Sequence, residues 1–363
     1  MAIGGKVFDN LLLKQIHLPA QKMTAGESPS RHCYVVGVDV GSRWTRVSYG
    51  WSANVSYDEI KTINTWPASD AGHKTAEAVP TEIAYVQDQN GTVSHRWGYL
   101  ISPGMLRYSC IKLLLDQATD DPDLRATLYK VRQQLPPGRS AWQVTVDFLR
   151  QVYAHILATL GQYHPDQPLD CTRIKFWLST PASWSEQTQS RMWGAARQAG
   201  FGSRAGDGVM ILLEPEAAMF AAVADADADF HGDEVELNEN ILVCDCGGST
   251  VDVAIYRLVN DDPWELAEGS IRSRTRRGAA NIDRRLHQLL SKRFGRAYES
   301  LLQDRLPRSR MMWSFELNKR RYGSRFHTQP LSAALKVPAS RFYDPVKGQI
   351  ILTSWVSTLA RHI

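Results

Sequence analysis

The sequence predicts a mixed α/β fold with two related lobes that close over one cleft. Residues 241–257 read as an apolar strand, a turn of small residues and a returning strand, and residues 34–50 repeat that order. Between these two hairpins lie apolar residues at helical spacing. With 363 residues, 43% of them hydrophobic, the chain is long enough to bury a substantial core in each lobe.

The first lobe is assigned to residues 33–232. Residues 1–32 show no clear periodicity and predict a flexible leader. The leading strand of the first hairpin carries Asp39, the turn follows at Gly41 and Ser42, and the returning strand covers residues 45–49.

Helices are predicted from spacing and from their end signals. Apolar residues at steps of three and four predict an amphipathic helix over residues 142–160. Ser183 and Glu186 have the spacing of a capping box for the next helix, and Gly200 has the residue type that ends one. In the second lobe, residues 233–363, a further helix is predicted over residues 281–294.

The second hairpin has the composition of a phosphate-binding loop. Asp245 and Asp252 flank it, and Gly247 and Gly248 allow backbone N–H groups to approach a phosphate with no Cβ in the way. Thr250 adds a hydroxyl. A carboxylate beside phosphates is repulsive unless a metal ion lies between them, so the pattern predicts a phosphate–metal loop.

The two hairpins resemble the two phosphate motifs of the actin-like ATPase superfamily, whose fold is of the ribonuclease H type. Residues 176–201 and 211–222 resemble two segments of the 70-kDa heat-shock chaperones, and residues 315–320 resemble their E-x-x-K-R helix, which contacts adenosine. The short sequences D-C-G-G and E-P-E-A-A resemble those of a divergent branch of this family that lacks the usual peptide-binding domain. The resemblance implies ATP and Mg²⁺ as cofactors, and a protein client or partner beside the nucleotide.

The resemblance also implies a role for individual residues. It implies catalytic roles for Asp39, Glu214, Asp245 and Thr250. Asp39 and Asp245 would in addition hold the metal ion through water. The nucleotide contacts that it implies are Gly41, Ser42, Arg43, Gly247, Gly248, Ser249, Gly278, Glu316, Lys319 and Arg320.

Three departures from the family pattern affect the expected activity. Arg43 stands where the family has a second threonine in the first hairpin. Counting from Gly98 places Ser102 at the position of the catalytic lysine, with Lys112 too far along the chain to replace it. Residues 341–363 end without the family's adenosine loop, so the second lobe is expected to be incomplete. These departures predict nucleotide binding with slow or absent hydrolysis.

Three functions therefore remain open. The first is a slow ATPase or nucleotide switch with a chaperone-like role, and the second is a non-catalytic interaction protein that retains the fold. The third is a small-molecule kinase of the same superfamily, against which the heat-shock-type segment over residues 176–222 argues.

Composition excludes several other classes. No run of about 18 apolar residues predicts a membrane span, and the N-terminus does not read as a signal peptide, so a cytoplasmic protein is expected. The net charge is +4, and residues 270–330 contain sixteen lysine and arginine residues against four acids. That segment lacks a nucleic-acid-binding motif, which favours a solvated surface over nucleic-acid binding.

The five cysteines are expected to be reduced and structural. Cys244 and Cys246 lie on one predicted strand and are expected to point to opposite faces, which would prevent a local pair.

Overall fold

The fold is described from a computed structural model. The structure describes residues 33–52, 60–69, 72–102, 105–109, 111–116, 135–136, 138–163, 169–226, 236–248, 251–261, 264–275, 278–301, 309–320, 331–333, 340, 343–347 and 349–352. The chain divides into two units, Met1–Thr275 and Arg276–Ile363. The predicted lobes divide after residue 232 instead, because that boundary follows the repeat of the hairpin. The predicted leader over residues 1–32 lies outside the described residues.

The first unit contains most of the regular structure. Its strands are β1 (Tyr34–Val40), β2 (Trp44–Trp51), β3 (Lys61–Thr62), β4 (Thr65–Pro67), β5 (His73–Thr75), β6 (Val79–Pro80), β7 (Ile83–Gln87), β8 (Val93–Trp97), β9 (Ile174–Thr180), β10 (Gly208–Leu213), β11 (Asn240–Cys246), β12 (Val251–Asp261) and β13 (Trp264–Thr275). Its α-helices are α1 (Ile111–Leu115), α2 (Ala141–Tyr163), α3 (Glu186–Ala199) and α4 (Glu214–Ala226).

The main sheet is mixed. Its strand order is β10-β9-β1-β2-β3, and β6 also pairs with β2. Strands β1, β9 and β10 run parallel, whereas β2 is antiparallel to β1. A mixed α/β sheet of this kind is compatible with the predicted actin-like fold.

Both faces of β1 are covered, and all seven of its residues are buried. Val36 and Val38 belong to a large core cluster that also contains residues of α2 and α3. Val35 points the other way and belongs to a smaller cluster with Ala217 of α4. Because side chains alternate along a strand, Asp39 shares the face of Val35 and is directed toward the α4 side of the sheet.

Helix α4 packs on two sheets of the first unit. Ala217 contacts the main sheet, whereas Met219 and Phe220 form a cluster with Ala254 and Tyr256 of β12. Strands β11, β12 and β13 form this second sheet, which is antiparallel throughout. The first residue of α4 is therefore held between the strands that carry Asp39 and those that carry Asp245.

Helix predictions were confirmed in position, with one error at a cap. Helix α2 covers the predicted residues 142–160 and extends beyond them at both ends. The N-cap of α3 is Ser185, whose Oγ accepts the backbone N–H of Thr188, so the predicted capping box of Ser183 with Glu186 is wrong. Gly200 ends α3 at φ 118°, a conformation that favours glycine.

The expectation for Cys244 and Cys246 was also wrong. Residues two apart on a strand lie on the same face, and it is Asp245, between them, that points to the other. Both thiols are exposed, with their sulfur atoms 3.7 Å apart.

The second unit is helical with a small sheet. Its elements are α5 (Ala279–Phe294), α6 (Arg296–Glu299), α7 (Arg310–Arg320), β14 (Leu331–Ala333), β15 (Tyr343–Asp344) and β16 (Gln349–Leu352). Helix α5 confirms the helix predicted over residues 281–294. The strands are ordered β14-β16-β15. Leu286, Leu290, Met311 and Phe315 form its core with Ile350 of β16. Across the parts of the chain that the structure describes, no helix is long and apolar enough to cross a membrane.

Candidate functional site

The candidate site lies where three parallel strands end. Asp39 is the penultimate residue of β1, Ser179 the penultimate residue of β9, and Glu214 directly follows β10. The carboxyl ends of parallel strands meet at one edge of a sheet, which is where ligands of open α/β sheets usually bind. The strand register thus brings together side chains that are far apart in sequence.

Asp39 is a buried carboxylate. Its Oδ1 accepts a hydrogen bond from the hydroxyl of Ser179, with the two oxygens 3.1 Å apart. Burial raises the pKa of Asp39, and the opposing effects of the Lys112 and Arg46 cations and of the Ser179 hydrogen bond do not fully cancel that rise.

Lys112 and Glu214 form the central contact of the site. The ammonium group of Lys112 donates to Oε1 of Glu214, and only 6% and 12% of the two side chains are exposed. The same ammonium group lies 5.9 Å from the ring centroid of Trp184. Burial alone would lower the pKa of Lys112, but Glu214, Asp39 and Asp245 outweigh it and raise that pKa. The neighbouring carboxylates therefore keep the Lys112 side chain protonated despite its burial.

The pKa values of two further carboxyl groups, Glu214 and Asp245, are also raised by burial and by neighbouring negative charges. Burial, together with the charges of Asp39 and Asp245, raises the pKa of Glu214 to about 7 despite the opposing effect of Lys112. Burial and the charges of Asp39 and Asp252 raise the pKa of Asp245 to about 6, against Lys112. The structure thus brings Asp39, Glu214 and Asp245 around one lysine.

Lys112 is the residue that sequence reasoning excluded. The counting from Gly98 assumed that a helix begins there, but only one 3-10 turn forms, at Gly98–Leu100. The chain then returns to pair Tyr108 with Ile83 before α1 begins at Ile111. This extra crossing carries Lys112, and not Ser102, to the carboxylates. The sequence offered only a weak signal, a lysine within the apolar run Ile111–Leu115, and that run does not show where the lysine lies in the fold.

The two predicted glycine loops approach each other. A Cβ placed on Gly248 would lie 3.7 Å from Cγ of Arg43 and 4.0 Å from Cβ of Ser42. Within the first loop, the N–H of Gly41 donates to the carbonyl oxygen of Trp44 at 3.0 Å, and a Cβ on Gly41 would lie only 2.5 Å from that oxygen. Gly247 precedes Gly248 in the turn after β11.

Two predicted residues of the second loop, Ser249 and Thr250, lie outside the described residues. Gly278, Glu316, Lys319 and Arg320 belong to the second unit. Gly278 is the N-cap of α5. Arg320 is the last residue of α7.

In that second unit, Lys319 joins two carboxylates. Its ammonium group lies 3.0 Å from Oδ1 of Asp283 and 2.5 Å from Oε2 of Glu316. Glu316 and Lys319 are one helical turn apart, so they share a face of α7 as the sequence predicted. Asp283 of α5 was not identified from the sequence as a partner of this pair.

The charge balance at the first site fits a hydrated divalent cation. Asp39, Glu214 and Asp245 supply three carboxylates against the ammonium of Lys112, with the Arg46 guanidinium acting on Asp39 alone among them. Within the described ranges, no three His, Cys, Asp or Glu side chains are arranged to hold a metal ion directly. Mg²⁺ prefers oxygen ligands and usually keeps several waters, so this donor set suits an ion bound through its water shell.

The chain resembles a known protein only distantly. No protein-family profile matches the chain. The chain is similar to heat shock 70 kDa protein 12B of Homo sapiens, with 22% identity over 386 aligned positions. The alignment covers 88% of this chain and 54% of the relative, so the chain spans about half the length of the relative it matches. This similarity supports a distant relationship to the 70-kDa heat-shock proteins.

Proposed function

We propose that this chain is a heat-shock-70-like protein that binds ATP·Mg²⁺, with its phosphate end at Lys112, Asp39, Glu214 and Asp245. The observation that carries the proposal is the buried lysine held among three carboxylates beside two glycine loops. Glycine loops leave backbone N–H groups accessible to phosphate oxygens, and a lysine supplies a compact positive charge.

Asp39 and Asp245 are the residues proposed to hold Mg²⁺ through its water shell. Their raised pKa values reflect crowding of negative charge that a divalent cation would relieve. The ion would supply charge neutralisation on the phosphate oxygens. Ser179, which donates to Asp39, fixes the direction of that carboxylate.

Lys112 is proposed to stabilise negative charge on the terminal phosphate. It is buried and already oriented by Glu214, so little reorganisation accompanies its action. The expectation of absent hydrolysis depended partly on a missing cation at this position. With Lys112 in the site, we propose that the chain hydrolyses ATP, slowly.

Glu214 is proposed to orient the attacking water and accept its proton. A general base works best when its pKa is near the working pH, and the pKa of Glu214 is about 7. Its carboxylate is anchored by Lys112 on one oxygen, which fixes the side chain at the start of α4.

Gly278, Glu316, Lys319 and Arg320 stay proposed adenosine contacts on the resemblance alone. Glu316 and Lys319 share one face of α7, Arg320 follows on the same helix, and Gly278 begins α5 with backbone N–H groups. A nucleotide-dependent contact with a protein client or partner is proposed from the relationship to heat-shock proteins.

Calorimetric titration with ATP tests the binding proposal. The purified chain should bind ATP in the presence of Mg²⁺, and Asp245→Asn should remove most of the Mg²⁺ dependence. Asp170→Asn, at an exposed aspartate of the first unit, is the matched control and should bind as the unchanged chain does. Absence of binding at millimolar ATP would reject the proposal and favour the non-catalytic interaction protein.

Single-turnover hydrolysis of labelled ATP tests the role of Lys112. Lys112→Met should lower the rate by about a hundredfold or more, as expected on loss of a charge that stabilises the transition state. Lys175→Met, at an exposed lysine on β9, is the control for loss of a lysine. Equal rates in the two variants would assign hydrolysis to another cation.

A further inference from the structure

One face of β11 carries two thiols that the nucleotide site does not use. Cys244 and Cys246 are both exposed, and their sulfur atoms are 3.7 Å apart. Leu242 continues the same face with 65% of its surface exposed. The opposite face holds Ile241 and Val243, which pack against the cluster of α4 with β12.

The strand geometry explains how the thiols come together. Side chains at i and i+2 stand on the same face of a strand, several ångströms apart at their Cβ atoms. The two Cys side chains lean toward each other from those positions. Because β11 is held by β12 through all seven of its residues, the thiols are presented by a regular strand and not by a loop.

The sulfur separation matches a particular coordination geometry. In a tetrahedral site with metal–sulfur bonds of about 2.3 Å, two sulfur ligands are about 3.8 Å apart. A linear site with the same bond length needs about 4.6 Å, which is twice that length. The observed 3.7 Å therefore fits the edge of a tetrahedron without movement of the strand.

We propose that Cys244 and Cys246 form a two-thiolate site for a thiophilic divalent cation of the Zn²⁺ class. As each metal–sulfur bond forms, the S–H bond breaks and the proton goes to solvent, with no change in oxidation state. Within the residues that the structure describes, no third side chain of the usual ligand types completes the set. The remaining positions are filled by water or by ligands from solution, so the bound ion exchanges readily.

This site is separate from the proposed Mg²⁺ site on the same strand. Asp245 lies between the two cysteines in sequence but on the opposite face of β11. Soft thiolates select Zn²⁺ and similar ions, whereas carboxylates select Mg²⁺. Mg²⁺ is therefore not expected to displace the thiol-bound ion.

Cadmium titration of the reduced, nucleotide-free full chain tests the proposal. Cd²⁺ bound to thiolates gives an ultraviolet ligand-to-metal charge-transfer band that carboxylates do not give. The band should appear with one equivalent of Cd²⁺ and be displaced by an excess of Zn²⁺. Cys244→Ser and Cys246→Ser should each weaken binding by about a hundredfold, since each removes one arm of the chelate. Cys171→Ser removes an exposed thiol elsewhere and should leave the titration unchanged.

Two further measurements separate the alternatives. Asp245→Asn should keep the band, because the sulfur site does not include that carboxylate. In the unchanged chain, Zn²⁺ should protect the peptide that contains Cys244 and Cys246 from alkylation, so a poorly folding variant does not leave the result open. The proposal is overturned by an unchanged Cd²⁺ affinity in either single serine variant, or by alkylation that Zn²⁺ does not slow.

Discussion

The ammonium group of Lys112 contacts the carboxylate of Glu214 across 102 positions of sequence. Neither residue is distinctive in its own segment, since Lys112 follows an isoleucine on the short apolar helix α1 and Glu214 begins α4. Together they place a buried cation beside Asp39 and Asp245. The ammonium group compensates part of the negative charge of Asp39, Glu214 and Asp245, and in the proposed site Mg²⁺ would compensate the rest before a phosphate could bind.

Replacement of Lys112 by methionine is expected to destabilise the nucleotide-free fold. Removing one partner of a buried ion pair leaves the other charge uncompensated, which costs about 3 kcal/mol in the free energy of unfolding. Urea denaturation at neutral pH measures this loss. Lys175→Met should change the same quantity by less than about 0.5 kcal/mol, because that side chain is exposed.

Adding Glu214→Gln to Lys112→Met should recover part of the lost stability, because the uncompensated carboxylate is then neutral. If Lys112→Met alone were as stable as the unchanged chain, the ion pair of Lys112 with Glu214 would contribute little to the free energy of unfolding.

Asp245→Asn is expected to stabilise the free chain at neutral pH. The pKa of Asp245 is raised to about 6 in the folded state, above its value near 4 in an unfolded chain. The folded state therefore binds the proton more tightly, and stability falls as the pH rises from about 4 to about 6. The asparagine variant lacks this loss and should gain about 2 kcal/mol relative to the unchanged chain at pH 7.

The measurement is the difference in unfolding free energy between the two proteins as a function of pH, since titration of groups that do not interact with Asp245 cancels. A difference that is constant from pH 4 to pH 7 would mean that the carboxyl pKa is not raised. Saturating Mg²⁺ and ATP should reduce the extra stability of Asp245→Asn, because the bound cation stabilises the unchanged chain more than the variant.

ATP hydrolysis is expected to rise with pH through about pH 7. The pKa of Glu214 is raised to about 7, so its carboxylate becomes available as a proton acceptor over that range. Glu214→Gln should lower the single-turnover rate by about a hundredfold and remove this rise. Glu186→Gln, at the exposed first residue of α3, should keep both the rate and the profile. A rise that persists in Glu214→Gln would assign the titration to another group.

The two glycine loops are expected to respond differently to alanine. In Gly41→Ala the new Cβ would lie 2.5 Å from the Trp44 carbonyl oxygen, which belongs to the backbone, so stability should fall by about 1–3 kcal/mol. In Gly248→Ala the nearest atom is 3.7 Å away, and stability should change by less than about 0.5 kcal/mol.

Gly248→Ala should nevertheless weaken ATP binding, because the Cβ occupies the approach to the backbone N–H groups. Urea denaturation and calorimetric titration on the same samples separate the two effects. A Gly248→Ala variant with unchanged ATP affinity would exclude this loop from the phosphate contact.

Local pattern was sufficient for the elements that carry most of the site. The order of apolar strand, turn of small residues and returning strand predicted both hairpins, and helical spacing predicted α2. These features depend on neighbours a few residues apart, so the sequence expresses them directly. The side of β11 that bears the cysteines was available from the same rule of alternation and was assigned incorrectly.

The position of Lys112 was not available from local pattern. Lys112 approaches the carboxylates because the chain returns to pair Tyr108 with Ile83. This is a long-range contact, and no spacing of residues in the sequence predicts it. Counting along a family pattern fails at such a crossing, because an added loop shifts the register without changing the motif on either side.

By itself, the sequence determined where the two hairpins with their glycine turns and the helices α2, α3 and α5 form, because short-range sterics and hydrophobic periodicity fix them. Only the tertiary structure decided which charges meet. Parallel pairing of β1, β9 and β10 brings Asp39 beside Ser179, and the packing of α4 on two sheets sets Glu214 between Asp39 and Asp245. Electrostatic interactions depend on distance and burial in space, so the raised carboxyl pKa values and the charged Lys112 arise from packing that brings distant segments together.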